Sequence, residues 1–156
     1  MKFDLPAGRA QPRAARFVVA TITAIVLSLL ACWLLVILGT AVFPSTVGYA
    51  HFGFGDYGKF TIVGVLLACL AWPVMTLVSS EARRPFLLLT IIVTIVGLAP
   101  DAWIIYRGQS PEAVGILVVM HLALAVITYP ALVVIAPQRA ALRDSSLRTP
   151  ASAERP

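Results

Sequence analysis

The stretch FVVATITAIVLSLLACWLLVILGTAVF, residues 17–43, runs for 27 positions without a charged side chain. A helix rises about 1.5 Å per residue, so this run is roughly 40 Å long, more than the ~30 Å hydrocarbon core of a bilayer. Three further apolar runs follow at 60–80, 86–106 and 113–136. A soluble chain of 156 residues has no core large enough to hide four such rods. The pattern therefore predicts an all-α polytopic membrane protein, an antiparallel four-transmembrane-helix bundle.

Composition agrees: 60% of residues are hydrophobic, 12% are charged, and mean hydropathy is +0.92, outside the range of ordinary globular domains. The chain divides into a basic N-terminal tail (1–16) expected to be disordered, a transmembrane domain (17–137), and a basic C-terminal tail (138–156) expected to be disordered. The longest connection, 44–59, has 16 residues, which leaves no room for a soluble catalytic domain.

The net charge of +5 is distributed as membrane topology demands. Ten of the twelve Lys and Arg precede the first run (Lys2, Arg9, Arg13, Arg16), lie between the second and third (Arg83, Arg84) or follow the fourth (Arg139, Arg143, Arg148, Arg155). Lys59 and Arg107 alone fall on the other side. This asymmetry predicts a cell-membrane protein with both termini and the 81–85 loop in the cytoplasm. Basic residues so placed meet anionic lipid headgroups, and no nucleic-acid partner is expected.

Helix one carries small residues every fourth position, Ala20, Ala24, Ser28 and Cys32, and helix two a shorter version, Gly64 and Ala68. Small stripes let transmembrane backbones approach closely, so these two faces are expected to pack together. Cys32 and Cys69 both fall near mid-bilayer; a redox pair is one reading, small apolar packing the other. Leu29-Leu30-Ala31-Cys32 loosely imitates a lipoprotein cleavage site, but the apolar run continues well past it, as an uncleaved helix would. Pro73, Pro100 and Pro130 each remove a backbone donor from a helix and free a carbonyl four residues earlier. The 44–59 loop alternates aromatics with glycines and reads as a cap on the headgroups or a lid over a ligand. His51 within it stands alone, a poor metal ligand.

Two ionisable residues fall inside spans, Asp101 and His121. Such groups are costly in hydrocarbon and serve as functional-site hypotheses by default. Thr90, Thr94, Gly97 and Asp101 share one helical face, and His121, Ala125 and Thr128 share another. At about 1.5 Å per residue the Asp and His depths differ by roughly 3 Å. The expectation is a polar seam of Asp101, His121, Thr94 and Thr128 between helices three and four. Asp101, five residues from Tyr106, could instead reach the outer headgroups. Metal clusters, phosphate loops and nucleophile elbows are absent from the sequence.

The string from Arg83 onward adds a likeness. Arg83-Arg84 precede an apolar helix ending Gly97-Leu98-Ala99-Pro100, then a polar loop, then a helix with Met120-His121-Leu122 and Pro130 nine residues beyond the histidine. This resembles a family of small four-span bacterial membrane proteins, seen mostly in actinomycetes and classified only as a domain of unknown function. The resemblance implies an integral four-helix fold in a bacterial inner membrane, and supplies no reaction, ligand or partner.

The leading expectation is a non-enzymatic bundle without a cofactor, acting through helix and lipid contacts as a homo-oligomer or as a subunit of a membrane complex. Its rival is a small redox or transport component binding haem, quinone or a proton at His121 with Asp101. Topology has a direct check. Reporter fusions at residue 82 and at the C-terminus should lie on the same side of the membrane; opposite sides would mean the count of spans is wrong.

Overall fold

A computed structural model describes residues 11–139. Residues 1–10 and 140–156, and with them most of both tails, lie outside the described residues. Five helices build four spans. They are α1 (Ala14–Val42), α2 (Phe54–Val78), the pair α3 (Arg83–Gly97) and α4 (Ala99–Tyr106), and α5 (Pro111–Pro130), which continues into a π-helical turn, Ala131–Ile135. Each span has between 24 and 29 residues and is apolar enough to cross a bilayer. The faces turned away from the bundle carry Val18, Ile22, Leu30, Leu67, Val93 and Val126, all exposed. Lipid solvates such faces; water would not.

The helix ends differ from expectation in ways with clear causes. Helix α1 starts at Ala14, three residues inside the tail expected to be disordered. Helix α2 starts at Phe54, so Gly55, Asp56, Gly58 and Lys59 are helical rather than loop. Asp56 lies in the first turn, where a carboxylate complements the positive end of the helix. The connection shrinks to residues 43–53, built from two short 3₁₀ turns, Pro44–Thr46 and Ala50–Phe52.

The three helical prolines act differently. Pro73 is absorbed within an unbroken α2, and its own carbonyl accepts from the Gln11 amide and the Thr76 hydroxyl at 3.1 and 2.8 Å. Pro100 splits the third span at Leu98 and becomes a first-turn residue of α4, where its missing N–H costs nothing. Pro130 ends α5 and hands over to the π turn.

Helix α5 is the axis of the bundle, packing against α1, α2, α3 and α4. We call the end carrying Ala14, residues 79–82 and Ala136 the base, and the opposite end the loop end. At the base, the buried rings of Trp72 and Phe86 meet with centroids 5.0 Å apart, and Phe86 stacks on Tyr129 at 5.6 Å. The Trp72 indole N–H donates to the Ala136 carbonyl at 2.9 Å. Gln138, expected in the disordered tail, is anchored. Its amide donates to the Ser79 carbonyl at 2.6 Å and accepts from the Ala82 N–H at 3.0 Å. One side chain thus ties the end of the fourth span to the turn between α2 and α3, satisfying backbone groups that no helix serves.

The buried residues of α1 are Ala20, Ala24, Ser28 and Cys32. Facing them, α2 buries Thr61, Val65, Cys69, Trp72 and Thr76. Gly64 does not take part: it is exposed, and a Cβ added there would meet nothing within 4 Å. Ala68 is half-buried beside that ridge. The expected pairing of two small stripes is therefore corrected. A flat stripe on α1 already admits a close neighbour, and α2 fills the groove with larger side chains. Cys32 and Cys69 are free thiols in separate clusters, Cys32 within 3.5 Å of the Thr61 hydroxyl, and they form no pair.

These faces make opposite demands on substitution. Ala24→Leu should cost about 1–3 kcal/mol of stability through overpacking, whereas Gly64→Ala should cost none. Thermal unfolding in detergent measures both, and the reverse ranking would contradict the assigned packing.

Candidate functional site

Among the described residues, the break at Leu98 shapes the one ion-pair contact between spans. With Pro100 in the first turn of α4, Asp101 also falls in that turn, where the positive end of a helix favours a carboxylate. Across the interface, Gly97 presents no side chain. A Cβ there would lie 3.5 Å from His121 Cδ2 and 3.9 Å from Nε2, so the imidazole of α5 lies directly over the glycine.

This geometry brings His121 Nδ1 to 3.0 Å from Asp101 Oδ2. The same nitrogen lies 3.1 Å from the Leu117 carbonyl, one turn earlier in α5. A carbonyl only accepts, so in that bond Nδ1 carries the hydrogen and points it at Leu117. Asp101 Oδ2 is close to the nitrogen but off the hydrogen's axis, and it is buried with no aligned hydrogen bond. The Asp101 side chain is 5% exposed and that of His121 39%. Asp101 therefore turns into the protein and does not reach out to headgroups.

The two threonines of the expected seam behave otherwise. Thr94 donates to the Thr90 carbonyl at 2.7 Å within its own helix, as hydroxyls commonly do in apolar surroundings. Thr128 is buried with no hydrogen bond to its hydroxyl. Neither hydrogen-bonds to the Asp–His contact. Instead of a continuous seam there is a pair, with both threonines on its base side, Thr94 before Asp101 along the third span and Thr128 after His121 along α5. Gly64 and Ala68 lie away from the pair, and Ala20, Ala24, Ser28 and Cys32 serve α1 packing.

The loop end supplies a neighbour that periodicity does not reveal. Gly48 has φ +81°, a left-handed turn that favours glycine and reverses the chain before Tyr49. Tyr49 then packs against the cluster of Cys32, Phe52, Tyr57, Ala113, Ile116 and Met120. Its ring meets Phe52 and His51 edge-on, at 5.1 and 5.4 Å between centroids. Its hydroxyl is buried and makes no hydrogen bond. Burial pushes the Tyr49 phenol above its usual range, and the negative charge of Asp101 pushes it further the same way. Farther out, His51 Nδ1 lies 3.8 Å from Asp56 Oδ2, and Lys59 Nζ lies 3.1 Å from Asp56 Oδ1, all at the surface. Among the described residues no three His, Cys, Asp or Glu side chains converge as a metal site would require.

The chain matches a family described as a family of unknown function, DUF6069, over residues 8–137. No curated protein matches it, and no solved structure does. The matched segment covers all four spans, the Asp101–His121 contact and the 43–53 loop.

Proposed function

Because the chain belongs to this family of unknown function, we propose a role for it from its own geometry. It is a small proton-linked component of the cell membrane whose working groups are Asp101 and His121. The observation that carries this reading is a carboxylate oxygen buried between two spans, 3.0 Å from an imidazole nitrogen, with no aligned hydrogen bond of its own. Purely structural polar contacts tend to be satisfied, since an unpaired buried acceptor is destabilising. A group that must gain and lose a proton needs such spare capacity. A carboxylate beside an imidazole is also the kind of arrangement found where protons move within membranes.

Sidedness follows from charge. Arg13, Arg16, Arg83, Arg84 and Arg139 all lie at the base, which supports a cytoplasmic base and both termini on that side. The loop end then faces outward, and the pair lies nearer to it.

A second reading rests on a different observation. The Asp101–His121 contact joins α4 to α5, the axis of the bundle, so the pair also clasps two spans in a homo-oligomer or complex subunit. Such contacts contribute modestly in membranes, about 0.6–2 kcal/mol.

Infrared difference spectroscopy of the protein in lipid separates the readings. A proton-linked pair should show a carboxylic C=O band that appears and disappears reversibly with pH. That band should be absent in Asp101→Asn, and its midpoint should move in His121→Gln. A protein that keeps its fold and shows no such band at any pH would leave only the clasp.

A further inference from the structure

At the base, a groove lies between the start of α1 and the π turn that packs against it. It has a volume of about 440 Å³ and is lined by Ala15, Arg16 and Val19 of α1 and by Val134 and Ile135 of the turn. Four of these five side chains are apolar, and the fifth carries a permanent positive charge. The turn is fixed from inside the bundle. Ala131, Leu132 and Val133 are buried, the Trp72 indole donates to the Ala136 carbonyl at 2.9 Å, and Gln138 is tied to Ser79 and Ala82. Val134, 70% exposed, is thereby presented outward, away from the core.

Charge at this end is uncompensated. Among the described residues the base carries one carboxylate, Glu81, and it lies 3.9 Å from Arg84. Among the same residues, no carboxylate comes within ion-pair distance of Arg13 or Arg16. Helix α1 opens without a side-chain cap or a first-turn acid, so its positive end adds to the same field. An anion complements the mouth of the groove, and an alkyl chain complements its walls. A second copy of this chain does neither: its described base would bring arginines against arginines, with no unpaired carboxylate to meet them.

We propose that this groove binds one anionic phospholipid, its phosphate on Arg16 and the upper part of one acyl chain along Val19, Val134 and Ile135. A guanidinium presents paired donors that match phosphate oxygens, and it is more weakly hydrated than an ammonium. Arg16 therefore suits a phosphate at the edge of hydrocarbon. The acyl chain is in apolar surroundings bound or free, so preference comes from the headgroup and from the fixed shape beneath it. The base, proposed above to be cytoplasmic, would meet the leaflet in which anionic lipids set a negative surface potential. The π turn thereby gains a use, since π-helical turns are frequent at functional sites and this one sets Val134 and Ile135 beside α1. The groove lies apart from the Asp101–His121 pair and does not depend on its chemistry.

Native mass spectrometry tests this on the full chain released from micelles holding equal amounts of dioleoyl phosphatidylglycerol and dioleoyl phosphatidylcholine. The wild type should retain one phosphatidylglycerol in preference. Arg16→Gln should weaken that retention about tenfold, the share of one charge-assisted contact. Val134→Trp, which fills the groove and keeps the charge, should weaken it comparably. Arg84→Gln, at an arginine already facing Glu81, should leave it unchanged. Equal losses in Arg16→Gln and Arg84→Gln would mean diffuse surface charge and overturn the proposal. Displacement of the lipid by inorganic phosphate at the same concentration would overturn it too, because the acyl chain would then contribute nothing. Should a variant not fold, a photoactivatable phosphatidylglycerol gives the answer on the wild type. Cross-links should concentrate at Val19, Val134 and Ile135, and labelling spread evenly along the spans would refute the groove.

Discussion

Hydrocarbon offers no hydrogen bonds to a peptide group, so each span of this chain must satisfy its own backbone as a helix. That constraint leaves tertiary choice to a few side chains. Along most of its length the bundle is held by shape: a flat stripe on α1, larger residues on α2, and α5 packed against every other helix. Where the constraint is locally broken, the structure responds. The turn between α2 and α3 lies outside any helix, and Gln138 reaches back to serve its carbonyl and N–H. The third span is interrupted at Leu98, and the interruption is where the charged residue lies.

Much of this was legible in the sequence because hydropathy and the helical period are direct consequences of the same constraint. The four runs, the small stripe of α1 and the shared face of Thr90, Thr94, Gly97 and Asp101 are all of that kind. What escaped was whatever depends on contacts remote in sequence. Gly64 and Ala68 look like a packing motif, yet a helix shows several such faces, and only the neighbour decides which one is buried. Glycines at 55 and 58 read as loop, although Asp56 at a helix start outweighs them. Gln138 looks like one more polar residue in a tail until Ser79 and Ala82 are brought beside it.

The site shows the same division. The depths of Asp101 and His121 can be counted along their helices, and so can the faces they occupy. Three things could not be counted: that Nδ1 is committed to Leu117, that Gly97 is the floor under the imidazole, and that Tyr49 packs its ring on the cluster of Cys32, Ala113 and Met120. No period links residue 49 to residue 120. The one local signal was Gly48 before an aromatic, which marks a sharp turn but not its destination. The arrangement is nonetheless coherent physically. A proline break creates a helix start that tolerates a carboxylate, a glycine makes room for an imidazole, and a second glycine turns the loop so that Tyr49 packs on the bundle.

All of this turns on the contact between His121 and Asp101 in the bilayer. Solid-state NMR on selectively labelled protein in lipid measures it through the dipolar coupling of His121 ¹⁵Nδ1 to Asp101 ¹³Cγ. The coupling expected is that of an imidazole nitrogen 3.0 Å from a carboxylate oxygen. Well-resolved resonances for both residues with no coupling between them would contradict the account.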